Sequence, residues 1–250
     1  MLREYWACAL AIAGVSAAFL LQNFIWAYGS LIDFTTDASA GVAFISAGLA
    51  MSRYGKGFRT RSGKLWPAFT VGILLWFVGE VVWSFYYQVL SVQVPYPSLS
   101  DVFYIAGYFP FFAGLSLYVF YFKGVLKRST LAIVAAVVFA AAAATAYILV
   151  PPVLAEDSGI VTKAFDFAYP LLDLVLLSVS LLGLSVLASG ALGRPWLFIT
   201  MGIILNAAGD LLFSYMTAVG TYMIGTLPDL FYILGYISLA LAFQLHRKQL

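Results

Sequence analysis

The chain has 250 residues, 63% of them hydrophobic and only 10% charged, with a formal net charge of +2. Such proportions exclude an ordinary soluble domain, and apolar runs of ~20 residues, the length a helix needs to cross a bilayer core, recur along its whole length. A single cysteine, Cys8, excludes an intrachain disulfide and a cysteine-rich metal site.

Taken in order, the apolar runs predict eight spans, roughly 5–28, 32–52, 66–90, 101–122, 130–151, 165–189, 195–217 and 227–246. The first follows Met1-Leu2-Arg3-Glu4 without a small-residue cleavage pattern and is expected to be a retained helix. The second is the weakest run, because Asp33 and Asp37 sit in its first turns. Basic residues test the count. Arg3, the run Arg53, Lys56, Arg59, Arg61 and Lys64, then Lys123, Lys127 and Arg128, then Arg194, and finally Arg247 and Lys248 all fall on one side of an eight-span topology. Only Lys163 falls on the other. The positive-inside rule then places both termini in the cytoplasm. The expectation is an all-α polytopic membrane protein.

The third and seventh spans are related. At a constant offset of 130, Gly63, Trp66, Thr70, Gly72, Ile73, Leu75, Gly79 and Ser84 meet identical residues, and Glu80 meets Asp210. Downstream, Ser98-Leu99-Ser100-Asp101-Val102-Phe103-Tyr104 matches Thr226-Leu227-Pro228-Asp229-Leu230-Phe231-Tyr232, and Gly107-Tyr108 matches Gly235-Tyr236. Ordered matches of this kind indicate an internal duplication. With an allowance for the basic loop, Asp37 falls opposite Asp173. The expected organisation is a parallel 4+4 repeat, 1–128 and 129–250, related by an axis along the membrane normal.

Acids collect where bases do not. Asp33, Asp37, Glu80, Asp101, Asp166, Asp173, Asp210 and Asp229 lie in predicted spans or their outer turns. A carboxylate in hydrocarbon is costly unless it faces the bundle interior, is protonated or is paired, so a polar interior opening outward is expected. Asp101 and Asp229 also have a structural explanation. Ser98-x-x-Asp101 and Thr226-x-x-Asp229 fit the capping box that starts a helix. Glu80 and Asp210 have no such explanation; each lies deep in its span behind a glycine, and Asn206 precedes Asp210 by one turn on the same face. The candidate ligand- or ion-binding set is Glu80, Asp210, Asp37, Asp173, Asn206, Asp101 and Asp229, with Trp83, Tyr104 and Tyr232 among the flanking aromatics. Other aromatics nearby, Tyr108, Tyr169 and Tyr236 among them, read as packing or as the interfacial belt.

Several chemistries find no residues here. Retinal attachment needs a lysine near mid-membrane, and Lys163 sits at an outer helix start. Ala207-Ala208-Gly209-Asp210 departs from the Gly-x-Gly-Asp of intramembrane aspartyl proteases, and one histidine, His246, cannot make a zinc hydrolase. Neither a P-loop nor a dinucleotide fingerprint is present. No catalytic residue, metal, cofactor or nucleic-acid partner is expected.

Pro97-Ser98-Leu99-Ser100-Asp101-Val102-Phe103-Tyr104, preceded by Gly79-Glu80-Val81-Val82-Trp83-Ser84, resembles a pattern in multispanning sensor regions of prokaryotic signalling proteins. Those regions stand ahead of diguanylate cyclase, phosphodiesterase or histidine kinase domains. The resemblance covers the third, fourth, seventh and eighth spans and implies a sensor whose partners are a small-molecule, cation or membrane-lipid ligand and a cytoplasmic output domain or partner protein. Where such regions run on into the output domain, the present sequence reaches His246-Arg247-Lys248-Gln249-Leu250. Gly209-Asp210-Leu211-Leu212 and Tyr232-Ile233-Leu234-Gly235 more faintly resemble the eight-span lysoplasmalogenases, without the histidine of that family. Three functions follow as expectations: a receptor binding its ligand between the repeats, a proton- or cation-coupled transporter, and a lipid hydrolase using Glu80 and Asp210 as an acid–base pair.

Overall fold

A computed structural model describes residues 29–53, 65–190 and 192–248. Within them seven long helices follow one another: α1 (Gly29–Arg53), α2 (Leu65–Ser84, prolonged by a π-helical turn at Phe85–Val89), α3 (Leu99–Tyr121), α4 (Arg128–Ala155), α5 (Ile160–Leu187), α6 (Gly193–Ala218) and α7 (Leu227–Lys248). All seven are long and apolar enough to cross a membrane. The protein is therefore a helical, multi-pass membrane protein. These helices are the second to eighth predicted spans; the span predicted at 5–28 lies outside the described residues, as do Arg3, Lys56, Arg59, Arg61 and Lys64.

The largest boundary differences are at the α4–α5 connection. The sequence reading stops the first of these spans at 151 and starts the next at 165, whereas the helices run to Ala155 and from Ile160. Pro151 and Pro152 fall in the last turns of α4, where each lacks the N–H that would donate to the i−4 carbonyl, yet the ladder resumes beyond them and Glu156 N–H donates to the Pro152 carbonyl at 2.9 Å. Lys163 belongs to the start of α5. Its backbone N–H donates to the Gly159 carbonyl at 3.2 Å, while its ammonium reaches the Leu154 carbonyl at 3.4 Å.

Packing neighbours close a ring. α1 packs on α2, α2 on α3, α3 on α5, α5 on α6, α6 on α7, and α7 returns to α1. α4 lies outside this ring, against α5 and α6, and buries only Val134, Leu149 and Val153. A helix apolar all round with so little covered suits a lipid-facing position.

One end of the ring is filled by aromatic side chains. Phe69 and Phe111 meet edge-on at 5.3 Å between ring centres, Trp66 and Phe243 at 5.6 Å, and His246 packs 4.8 Å from Trp66. Offset and edge contacts of this kind suit the charge distribution of aromatic rings. Nearby, the Trp196 indole donates to the Ser180 carbonyl at 2.7 Å, and the Thr200 hydroxyl reaches the same oxygen at 3.3 Å. Because that carbonyl keeps the indole donor, Thr200→Val is expected to lower the unfolding free energy by only about 0.6 kcal/mol. Denaturant unfolding in micelles would read this, and a loss several times larger would contradict the shared-acceptor arrangement.

Candidate functional site

The opposite end of the ring holds a half-enclosed cavity, to which all six ring helices contribute. Five carboxylates line it, Asp33 from α1, Glu80 from α2, Asp101 from α3, Asp210 from α6 and Asp229 from α7. Its walls are otherwise mainly aromatic, and among the described residues no lysine, arginine or histidine lines it.

The two deep acids are held by phenols. Glu80 Oε1 accepts from the Tyr236 hydroxyl at 2.8 Å, and Tyr104 of the neighbouring helix shares the cavity wall with it. Asp210 Oδ1 accepts from Tyr232 at 2.7 Å. Its other oxygen lies 2.7 Å from the Tyr108 hydroxyl, which is also 2.7 Å from Asp173 Oδ1. A phenol has one proton to donate. One of these two contacts therefore needs a proton on the carboxyl or a cation beside it. The glycines ahead of the acids make room for the tyrosines: a Cβ on Gly79 would stand 2.5 Å from the Tyr104 ring, and one on Gly209 2.6 Å from the Tyr232 ring.

The upper acids cap helices and face the cavity at once. Asp101 Oδ2 accepts the Ser98 N–H at 2.6 Å, while Oδ1 accepts from Tyr169 at 2.7 Å. Asp229 Oδ2 accepts the N–H groups of Gly225 at 2.6 Å and Thr226 at 3.1 Å, and Oδ1 accepts from Tyr222 at 3.0 Å. The Thr226 hydroxyl turns back to the Met223 carbonyl at 2.6 Å instead of capping α7. Tyr96, in the α2–α3 loop, donates to Asp166 at 2.9 Å. Burial, and then the Asp166 carboxylate, raise this phenol well above its usual range, as burial and Asp229 do for Tyr222 in the α6–α7 loop. Both hydroxyls therefore stay protonated donors.

Of the residues singled out in the sequence, Glu80, Asp210, Asn206, Asp101, Asp229, Trp83, Tyr104 and Tyr232 line the cavity. Asp173 stands behind Tyr108, off the wall, and Asp37 turns away to bond Ser84. Asn206 faces the cavity, but its amide N–H is used on the Gly202 carbonyl at 2.8 Å. Sequence reasoning treated Tyr108, Tyr169 and Tyr236 as packing and overlooked Tyr222. For Tyr108 and Tyr236 a signal existed, since each follows a glycine at matched positions of the duplication and stands one turn beyond Tyr104 or Tyr232. Tyr222 carries no such signal.

Among the described residues no group of three or more histidine, cysteine, aspartate or glutamate side chains could hold a metal ion. Compared with protein-family models, with curated proteins and with solved structures, the chain has no match, so its activity has to be read from its own residues.

Proposed function

We propose that this protein is a membrane-embedded receptor that binds its ligand in the acidic cavity and signals by a shift between two parallel four-helix repeats, 1–128 and 129–250. The observation that carries the proposal is an exchange of phenols. Glu80 accepts from Tyr236 of the other half, with Tyr104 of its own half on the same wall. Asp210 accepts from Tyr232 of its own half and meets Tyr108 of the other. These four tyrosines occupy matched positions in the duplication, which supports the repeat reading. A ligand that engages Glu80 or Asp210 competes for the bonds that join the halves. Its binding energy then differs between the joined and the shifted arrangement, which a ligand-driven change requires.

α7 supplies Tyr232 and Tyr236 and runs from the cavity to the aromatic end, so it is the natural output element. With both termini cytoplasmic, as the basic residues favour, that helix would hand the signal to a cytoplasmic domain or partner of the kind found in the prokaryotic sensor regions this chain resembles. A proton- or cation-coupled carrier is the second reading, favoured by the single phenol proton shared by Asp173 and Asp210.

Glu80→Gln and Asp210→Asn are each expected to weaken ligand binding to the purified protein by about tenfold or more, the scale of one lost charge-assisted bond. A ligand bound equally well by both variants and the wild type would sink the proposal. Flux of the bound compound into proteoliposomes would favour the carrier; binding without flux, the receptor.

A further inference from the structure

We infer that the ligand is an organic cation, an ammonium compound whose charged head sits between Glu80 and Asp210 against aromatic faces. This rests on the receptor reading and gives it a chemical class.

Two independent observations lead there. The first is a shortage of donors. Four of the five cavity carboxylates, Glu80, Asp101, Asp210 and Asp229, are met by phenols or backbone N–H groups, and among the described residues no cationic side chain lines the cavity. The basic groups placed by described contacts are engaged elsewhere, Lys163 on a carbonyl and Lys123 over the Phe120 ring at 4.0 Å. Asp33 is only 5% exposed, lines the cavity, and has one oxygen without a hydrogen-bond partner among the described residues. Buried carboxylates in this condition call for positive charge and N–H donors.

The second observation is the wall itself. Trp76, Trp83, Tyr104, Tyr108 and Tyr232 all border the space, and aromatic faces attract alkylammonium groups. An inorganic ion fits poorly. The described acids do not converge as a metal-binding group.

Ammonium groups can come from a free amine or from a choline headgroup, and the test separates them. The full chain, purified in dodecyl maltoside, would be titrated calorimetrically with phenethylamine, benzyltrimethylammonium and 2,2-dimethylpropylbenzene, the uncharged isostere of the second. Repeating the titration in phosphatidylcholine nanodiscs shows whether the headgroup competes. The expected result is saturable binding of an ammonium compound at least about tenfold tighter than the isostere, weakened about tenfold by Glu80→Gln or Asp210→Asn. Trp83→Leu should weaken it more than Trp83→Phe, which keeps a ring face, so the test stands even if an acid variant fails to fold. Binding lost in phosphatidylcholine assigns the site to the lipid headgroup; binding retained assigns it to a free amine.

Equal binding of cation and isostere, or no ammonium binding in wild-type protein, overturns the cation class. If an uncharged or anionic compound then binds and depends on Glu80, the receptor reading survives that loss. If no compound of any charge depends on Glu80 or Asp210, both fall.

Discussion

Replacing Gly183 by alanine is expected to be among the most damaging single changes in the protein. A Cβ at this position of α5 would lie inside the Trp196 indole, in contact with three of its ring atoms. That indole is not a flexible neighbour. It is 2% exposed, donates to the Ser180 carbonyl at 2.7 Å, and packs on the Tyr118 ring at 4.8 Å. Making room means moving the ring and breaking its bond. Over-packing costs about 1–3 kcal/mol, and the broken buried hydrogen bond adds about 0.5–1.5 kcal/mol. Unfolding in mixed micelles, or the folded yield from membranes, would register the loss. Gly124→Ala is the control, since a Cβ there meets nothing within 4 Å; equal behaviour of the two variants would show that α5 and α6 do not pack as described.

Tyr108→Phe is the second large effect, and it isolates a single oxygen. The phenylalanine ring can keep the edge contact with Trp76, whose centre is 5.3 Å away. What disappears is the hydroxyl shared by Asp173 and Asp210. Leaving buried acceptors without their donor costs about 1–3 kcal/mol, so a loss of that size is expected despite the near-identical shape. A double-mutant cycle checks the cause. An asparagine at 173 can donate its own N–H toward Asp210, so Tyr108→Phe should cost less in the Asp173→Asn background. An unchanged cost would mean that Tyr108 stabilises through its ring alone.

Much of the architecture was legible in the sequence because lipid imposes a coarse rule. Unbroken apolar length marks each helix, and the seven described helices begin and end within a few residues of their predicted spans, apart from the α4–α5 connection. There prolines and a lysine, which read as stops, are absorbed into helix ends whose backbone groups still find partners. The acids were legible for the same reason, since a carboxylate in an apolar run needs an explanation. Their phenolic partners were less so. Tyrosine is common at membrane boundaries, and outside the matched pairs Gly107-Tyr108 and Gly235-Tyr236 nothing in its spacing tells a packing ring from a hydrogen-bond donor. Whether Tyr236 meets Glu80 depends on how α7 closes the ring next to α1, a long-range fact that local pattern does not carry. Asp37 is the counterpart: it matches Asp173 in the duplication, yet it bonds Ser84 while Asp173 meets Tyr108.

Ring closure also has a schedule. Glu80 and its partner Tyr236 are separated by 156 residues, which a ribosome needs on the order of 10–30 s to add. In that interval α2 is already made while α7 is not. Tyr104, some two dozen positions beyond the acid, is translated early enough to shelter it. Asp210 has the opposite order: Tyr108 precedes it by 102 residues, so the acid of α6 is made with this partner already in the chain, while the acid of α2 waits for Tyr236.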